Sequence, residues 1–396
     1  MQLISVIGQG YVGLPLSLAA AGSGFKVAGV DVNQNTVKQL NSGSTSLEDI
    51  NLVDLRELLI NGRYSATTDF SVISESSIIL ICVPTPLQAN HKPDLSYLIS
   101  AVKSVGKHLS KGSLVIIEST VAPGTTRGLV VPLLEKESNL KVNDFFVAFS
   151  PERIDPQNNT WNVKNTPKLL SGLTKEASVK ATEFYSKFID KIVECNSIEV
   201  AEMAKLLENS FRLVNISFIN EISVICQKLE IGIADVINAA ATKPYGFMPF
   251  YPSIGVGGHC IPVDPIYLSD KAREIGVHAR FINLADKINQ EMPGYFVNRA
   301  EERFGGLEGK KVLVLGVSYK PNVADVRETP VKALILGLKE KGAKVSWHDD
   351  LVKEWNGDKS VPLSSDFDLA ILATPHDYLD LSILGQVPIL NTRSSI

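Results

Sequence analysis

Short runs of β-branched residues alternate with longer stretches of helical spacing through the first half of the chain. Residues 2–7, Lys26–Val30, Ile78–Val83, Leu114–Glu118 and Phe145–Phe149 read as strands. They show little polar alternation, so both faces are expected to be buried. With helices between them they predict a parallel sheet and an α/β, doubly wound domain. From Ser197 to about Ile231 the rhythm becomes one long helix without Pro or Gly. Its apolar positions Val200, Met203, Ala204, Leu207, Phe211, Val214, Phe218 and Ile222 step by three and four. At 1.5 Å per residue it spans roughly 50 Å, which suits a spine between domains or a dimer seam. After Gly305-Gly306 the strand rhythm resumes at Lys311–Val317, Lys344–His348, Leu369–Ala373 and Pro388–Asn391.

One spacing recurs between the two ends. Gly24-x-Lys26-Val27 with Asp31 five residues after the lysine returns as Gly342-x-Lys344-Val345 with Asp349. The strand ending in Val83-Pro84-Thr85-Pro86 returns as Ala373-Thr374-Pro375. The expected organisation is therefore two Rossmann-like domains, 1–196 and 301–396, joined by a central helical domain, 197–300. Chance likeness between two parallel-sheet domains is the alternative. Composition narrows the class. Across 396 residues, 39 Lys and Arg against 43 Asp and Glu leave a net charge of −4, which does not call for nucleic acid. No apolar run reaches the roughly 18 residues of a membrane helix, and Gln2–Ile7 reads as a strand rather than a leader. The four cysteines lie far apart with no C-x-x-C pair, neither a disulfide scaffold nor a zinc module. A cytoplasmic enzyme or ligand binder is expected.

Gly8-Gln9-Gly10-Tyr11-Val12-Gly13 fits G-x-G-x-x-G directly after the first strand, with a helix from Leu14 behind it. Asp31 closes the next strand, where an acid receives a ribose hydroxyl pair. A carboxylate there repels a 2′-phosphate, so NAD is expected over NADP. A tight turn without ligand is the plain alternative. Two further loops follow strand ends: Cys82-Val83-Pro84-Thr85-Pro86 and Glu118-Ser119-Thr120 through Thr125. Thr120 either faces the nicotinamide or caps the next helix.

On the long helix Lys205, Asn209 and Arg212 are spaced i, i+4, i+7 and share a face read as otherwise apolar. A cation beside an amide suits an oxyanion; a solvated helix edge is the alternative. The most informative segment is Gly255-Val256-Gly257-Gly258-His259-Cys260-Ile261-Pro262-Val263-Asp264-Pro265. Its glycines would let backbone approach a ligand, and its prolines fit a first helical turn. Cys260 at a helix N-terminus, with Asp264 one turn on, has the setting of a reactive thiolate beside an acid–base group. His259 hints at a metal, but adjacent residues rarely aim at one ion, and no metal is expected. Glu152, in Ser150-Pro151-Glu152-Arg153, is either a general base or a surface salt-bridge partner. In the C-terminal domain, Gly316-Val317-Ser318-Tyr319-Lys320-Pro321 replaces the glycine fingerprint. With Arg327 and Arg393 it places cations at strand ends, suited to a phosphorylated ligand or simply solvated.

Taken in order, Gly8–Pro15, Cys82–Pro86, Ser119–Thr125, Ser150–Arg153, Lys205–Asn209, Gly255–Asp264 and Gly316–Arg327 resemble the UDP-glucose/GDP-mannose dehydrogenase family over nearly the whole chain. Residues 242–252 and the Gly-Gly-His-Cys-Ile-Pro-Val-Asp run resemble the branch that oxidises UDP-N-acetylhexosamines, UDP-N-acetylglucosamine foremost, for surface polysaccharide precursors. UDP-N-acetylmannosamine and UDP-glucose are the alternative substrates.

The resemblance implies a four-electron oxidation of the sugar C6 alcohol with two NAD reduced, through a thiohemiacetal and thioester on Cys260. It implies that Asp264 and Lys205 handle the first alcohol proton, that Lys205 and Asn209 steady oxyanions, and that Glu152 activates the hydrolytic water. Cofactor contacts would come from Gly8, Gly10, Tyr11, Val12, Gly13, Asp31, Pro84, Thr85, Thr120 and Arg327. Substrate contacts would come from Glu152, Arg153, Lys205, Asn209, Arg212, Tyr251, Ser253, Gly257, Lys320 and Arg393. A homodimer through the long helix is also implied. The sequence departs from UDP-glucose oxidisers at Pro156, where they commonly carry a second acid. Ser253-Ile254-Gly255 also stands where the N-acetylhexosamine branch usually has Gly-Pro-Gly. A two-electron β-hydroxyacid dehydrogenase and a non-catalytic sensor of NAD or UDP-sugar are the rival readings.

Overall fold

The computed structural model describes residues 1–47, 50–154, 158 and 160–394. The chain folds as two compact units, Met1–Leu207 and Glu208–Ile396.

The first unit is built on β1 (Leu3–Ile7), β2 (Lys26–Val30), β3 (Tyr64–Thr67), β4 (Ile78–Ile81), β5 (Leu114–Ile117), β6 (Phe146–Phe149), β7 (Lys168–Gly172) and β8 (Ile192–Glu194). They lie in the order β3-β2-β1-β4-β5-β6-β7-β8. The first six are parallel, in the dinucleotide-binding order that reverses between β1 and β4, where such sheets receive their ligand. Strand β7 turns back antiparallel to β6 at Ala148↔Gly172 and Phe149↔Ser171. The helices are α1 (Gly13–Gly22), α2 (Gln34–Asn41), α3 (Leu52–Ile60), α4 (Ser96–His108), α5 (Val131–Ser138) and α6 (Lys175–Tyr185), followed by the start of α7 (Ile198–Lys228).

The two-residue period of the strands sorts their side chains into two cores. Ile4, Val6, Ile78, Leu80, Leu114 and Ile116 pack with Leu14 and Leu16 of α1, Leu55 of α3 and Tyr185 of α6. Ile7, Ile79, Ile81, Val115 and Ile117 pack on the other face with Leu98 and Val102 of α4, Leu134 of α5, and Ile198 and Ala201 of α7. Each fully buried Ile or Val contributes about 1.5–3 kcal/mol, so the unbroken apolar runs take the centre of the sheet. Strands β3, β7 and β8 have no such run; β7 opens on a buried charge, Lys168.

The second unit continues with the rest of α7, α8 (Ile233–Ala241), α9 (Asp264–Glu274), α10 (Arg280–Phe304), β9 (Lys311–Leu315), α11 (Val331–Glu340), β10 (Lys344–His348), the small hairpin β11 (Glu354–Trp355) and β12 (Asp358–Lys359), β13 (Leu369–Leu372) and β14 (Ile389–Asn391). Its sheet runs β10-β9-β13-β14, all parallel. Val312 and Val314 face one core, Leu313 and Leu315 the other.

Helix α7 leaves part of its apolar pattern exposed and buries polar residues among its apolar ones. Val200, Met203, Leu207, Phe211, Phe218 and Ile225 are exposed, Leu207 by 59% and Phe218 by 56%. The buried side carries Glu202, Lys205, Ser210, Ser217, Asn220 and Ser223 alongside Leu206 and Leu213. This corrects the expectation of an otherwise apolar face around Lys205: the buried side mixes polar with apolar residues, and Arg212 is exposed. Buried polar groups must be satisfied, and several of these are. Glu202 accepts from the amides of Gly124 (2.6 Å) and Thr126 (2.9 Å), and Ser217 donates to the Ala285 carbonyl at 2.8 Å.

Candidate functional site

In the first unit the glycine loop joins β1 to α1. Gly8 has φ 88° and donates its amide to the Val30 carbonyl at 2.8 Å. A Cβ on Gly13 would lie 1.8 Å from the Gly8 carbonyl oxygen, so only glycine closes the strand–helix turn. At Gly10 a Cβ would meet nothing within 4 Å, which leaves the loop open at that point. Asp31 at the end of β2 is tied by the amides of Gln9 and Asn33, each at 2.9 Å. Gln9 was missed in the sequence. It is buried, donates to the Val6 carbonyl at 2.9 Å and accepts from Tyr64 (2.9 Å) and Ser17 (3.2 Å). Tyr11 and Val12 follow it in the loop, each half-buried.

Past β4, Pro84 is exposed and Thr85 buried. Past β5, Ser119 donates to the Val83 carbonyl at 2.7 Å, which ties the two loops together. Thr120 stands half-buried beside them. Capping is not its task, because the next helical turn starts at Thr126 and its amides are held by Glu202. Burial raises the Glu202 carboxyl, with the amide bonds opposing.

Glu152, past β6, is mostly buried rather than a surface ion-pair partner. Its Oε1 accepts from the amides of Arg153 and Ile154, and its Oε2 lies 4.0 Å from Lys168 Nζ. Lys168 Nζ makes a closer ion pair, 2.7 Å, with buried Glu118. Arg153 donates to the Pro167 carbonyl at 2.7 Å. Pro156 lies outside the described residues.

In the second unit Cys260 is exposed just ahead of α9. The helix starts later than the sequence suggested. The Cys260 carbonyl accepts the Asp264 amide at 2.8 Å, and Pro262 lies in the turn between them. Asp264 heads α9, buried, with its Oδ2 accepting from Asn209 Nδ2 at 2.5 Å. A carboxylate at a helix N-terminus is favoured by the dipole, and the amide bond fixes its orientation.

The glycines before Cys260 do not stand open to a ligand as expected. A Cβ on Gly257 would meet the Glu328 carbonyl oxygen at 2.6 Å and Tyr319 Cβ at 2.8 Å, and one on Gly258 would meet the Tyr319 ring at 2.7 Å. Their role is to let the cysteine loop dock on the segment after β9. The Gly258 amide donates to the Arg327 carbonyl at 3.0 Å. Asn289 of α10 holds the other side, accepting from the Val256 amide at 2.6 Å. Both Tyr319 and Asn289 went unassigned from sequence; the Gly257-Gly258 pair was their only trace. Upstream, Ser253 donates its amide to Asn220 of α7 at 2.8 Å, and Tyr251 is exposed. Arg327 is exposed and forks onto Asp325, Lys320 is half-buried, and Arg393 is exposed after β14. Among the described residues, no group of three His, Cys, Asp or Glu is placed to hold a metal, and no helix is long and apolar enough to cross a membrane.

Three segments match the UDP-glucose/GDP-mannose dehydrogenase family: its NAD binding domain over residues 2–189, its central domain over 199–291 and its UDP binding domain over 313–387. The chain is 38% identical over 355 residues to a UDP-N-acetyl-D-glucosamine 6-dehydrogenase of Pseudomonas aeruginosa, covering 88% of this chain and 83% of that one. It is 35% identical over 391 residues to a UDP-N-acetyl-D-mannosamine dehydrogenase of Methanococcus maripaludis, covering 94% and 86%. A UDP-D-ManNAc dehydrogenase structure from Pyrococcus horikoshii superposes with a TM-score of 0.91 at 31% identity, covering 100% and 96%. The glycine loop, its acid and the exposed cysteine thus sit on a scaffold shared from end to end, and the chain belongs to the UDP-glucose/GDP-mannose dehydrogenase family as an NAD-dependent oxidoreductase.

Proposed function

We propose that the chain oxidises the C6 hydroxyl of a UDP-N-acetylhexosamine, UDP-N-acetylglucosamine foremost, to the carboxylate, as a cytoplasmic step toward surface polysaccharide. The observation that carries this reading is the exposed Cys260 thiol, one turn ahead of a buried Asp264 that Asn209 holds in place. An alcohol oxidised once needs no nucleophile; an aldehyde oxidised again does. In the first step the hydroxyl proton passes through water to Asp264 and Lys205, the groups that the family resemblance implies for it, as C6 gives up its hydride. The Cys260 sulfur then bonds to the aldehyde carbon. The sulfur adds as thiolate, so the hemithioacetal forms as its alkoxide and still bears a hydride; a thioester would be left once that hydride is given up, NAD being the acceptor that the cofactor site would supply. Water, deprotonated by Glu152, adds to the carbonyl and the C–S bond breaks, returning the thiolate. NAD supplies both hydride acceptances; the protein's part is orientation and proton movement.

The relatives named for UDP-N-acetyl-D-glucosamine and UDP-N-acetyl-D-mannosamine support the N-acetylhexosamine class and make the epimer a matter for assay. A panel of UDP-sugars should yield two NADH per sugar consumed, with Cys260→Ala losing acid formation by roughly 10³-fold or more while still binding NAD. One NADH per sugar, or unchanged acid formation in the variant, removes the thioester scheme.

The exposed apolar stripe of α7 supports a homodimer. Contiguous exposed apolar side chains of this kind mark a covered surface. Phe211→Glu with Phe218→Glu should shift a dimeric sedimentation profile to monomer; a wild-type chain sedimenting as monomer at micromolar concentration overturns this assignment.

A further inference from the structure

Behind Glu152 lies a buried set of ionisable groups to which the proposed chemistry assigns no part. Lys168 Nζ is 2.7 Å from Glu118 Oε2, 4.0 Å from Glu152 Oε2 and 3.5 Å from the Pro151 carbonyl oxygen. It also lies 5.0 Å from the centre of the Tyr185 ring, and the Tyr185 hydroxyl donates to Glu118. Cys82 faces the same group from the end of β4, its thiol pushed up first by burial and then by Glu118. Glu118, Lys168 and Tyr185 are almost wholly shielded from water. One lysine therefore serves two carboxylates. A cavity of about 20 Å³, bordered by Glu152, Arg153, Thr166 and Lys168, has room for one water.

We propose that Glu118, acting through Lys168, is a positioning residue that decides how tightly the Glu152 carboxylate is held and so when Glu152 can take a proton from water. This rests on the thioester reading and adds to it. While Glu118 is protonated, Lys168 pairs with Glu152 alone and holds its Oε2. Once Glu118 ionises, Lys168 turns to the nearer carboxylate and Glu152 Oε2 is released. Glu152 Oε1 stays fixed by the amides of Arg153 and Ile154, so its direction does not change. Burial raises the Glu118 carboxyl to about 7, opposed by Lys168, which puts the change within the working range of pH.

The test follows hydrolysis of the Cys260-bound acyl group by rapid quench and mass measurement between pH 6 and 8. Glu118→Gln preserves shape and removes the titration. It should hydrolyse like wild type at pH 6 and about tenfold more slowly at pH 8, with acyl-enzyme accumulating. Tyr185→Phe removes a hydrogen bond to the Glu118 anion, so the rise in rate should move up by about one pH unit. A loss of equal size at both pH values in Glu118→Gln, or an unmoved profile in both variants, overturns the proposal and leaves the thioester reading standing. A wild-type enzyme that forms no Cys260 adduct overturns both.

Discussion

The turn at the end of β1 and the turn at the end of β9 share one hydrogen-bond pattern and differ in what lies above its acid. Gly8 donates to Val30 at 2.8 Å and Gly316 to His348 at 2.9 Å. The next amide, Gln9 or Val317, donates to the acid that ends the neighbouring strand, Asp31 or Asp349, at 2.9 Å in each case. Both glycines have positive φ, 88° and 77°, and both lie where a Cβ would strike the carbonyl region of the next strand's loop, at Cys82 or Thr374. The difference is what lies above the acid. Asp31 is half-exposed beside the open Gly10. Asp349 is buried under His376, 3.1 Å away, and Tyr378, at 3.4 Å. Where the first loop has Gly10, the second has buried Ser318, bonded to the Lys320 carbonyl and His376. The same turn at a strand end thus has an accessible acid in one unit and an acid closed over by its own chain in the other.

If that contrast is right, the two aspartates must fail in different ways when removed. The larger effect belongs to Asp349, which accepts from the amides of Val317, Leu351 and Val352 as well as from His376. Asp349→Ala leaves these donors buried and unpaired, and about 3–5 kcal/mol of stability should be lost. Burial opposes the Asp349 charge, but the bonds from His376, Val317 and Val352 outweigh it and lower the carboxyl from 3.8 to about 2. A depressed acid contributes stability that is complete above its unfolded value and disappears as pH falls through its folded one. The gap between wild type and variant should therefore narrow by about 2 kcal/mol as pH drops from 3.8 to 2. Urea unfolding at several pH values measures it. A variant as stable as wild type at pH 7 breaks the contrast.

Sequence pattern carried the outline of both parallel sheets because their central strands are unbroken apolar runs. It also carried the echo, since the Gly-x-Lys-Val spacing to Asp31 and Asp349 is a backbone requirement written directly in residues. What it could not carry was which acid stays accessible. His376 lies 27 residues beyond Asp349, past β13, and no local spacing announces that the two will meet. The same limit hid Glu118 and Lys168, 50 residues apart: Lys26, Lys311 and Lys344 also open strands and are exposed, so an opening lysine does not by itself announce a buried partner. On α7 the apolar spacing was read correctly, but spacing alone does not say which side faces inward. The polar residues of the opposite side, Glu202, Ser217 and Asn220, are the ones with neighbours to bond.

The smaller effect belongs to Asp31, and it should appear in ligand binding rather than stability. Its two protein bonds go to the amides of Gln9 and Asn33 in a half-exposed loop, where water can replace the carboxylate, so Asp31→Ala should cost no more than about 1 kcal/mol of stability. NAD loses more. A charge-assisted bond to a ribose hydroxyl contributes about 1.5–3 kcal/mol, so affinity for NAD should fall at least tenfold by titration of the purified variant. NADP should move the other way relative to NAD, because the carboxylate that repels a 2′-phosphate is gone. Equal affinity of wild type and variant for NAD would place Asp31 with Asp349 as a purely internal acid. A stability loss as large as that of Asp349→Ala would do the same, since an accessible acid and an enclosed one cannot be equally costly to remove.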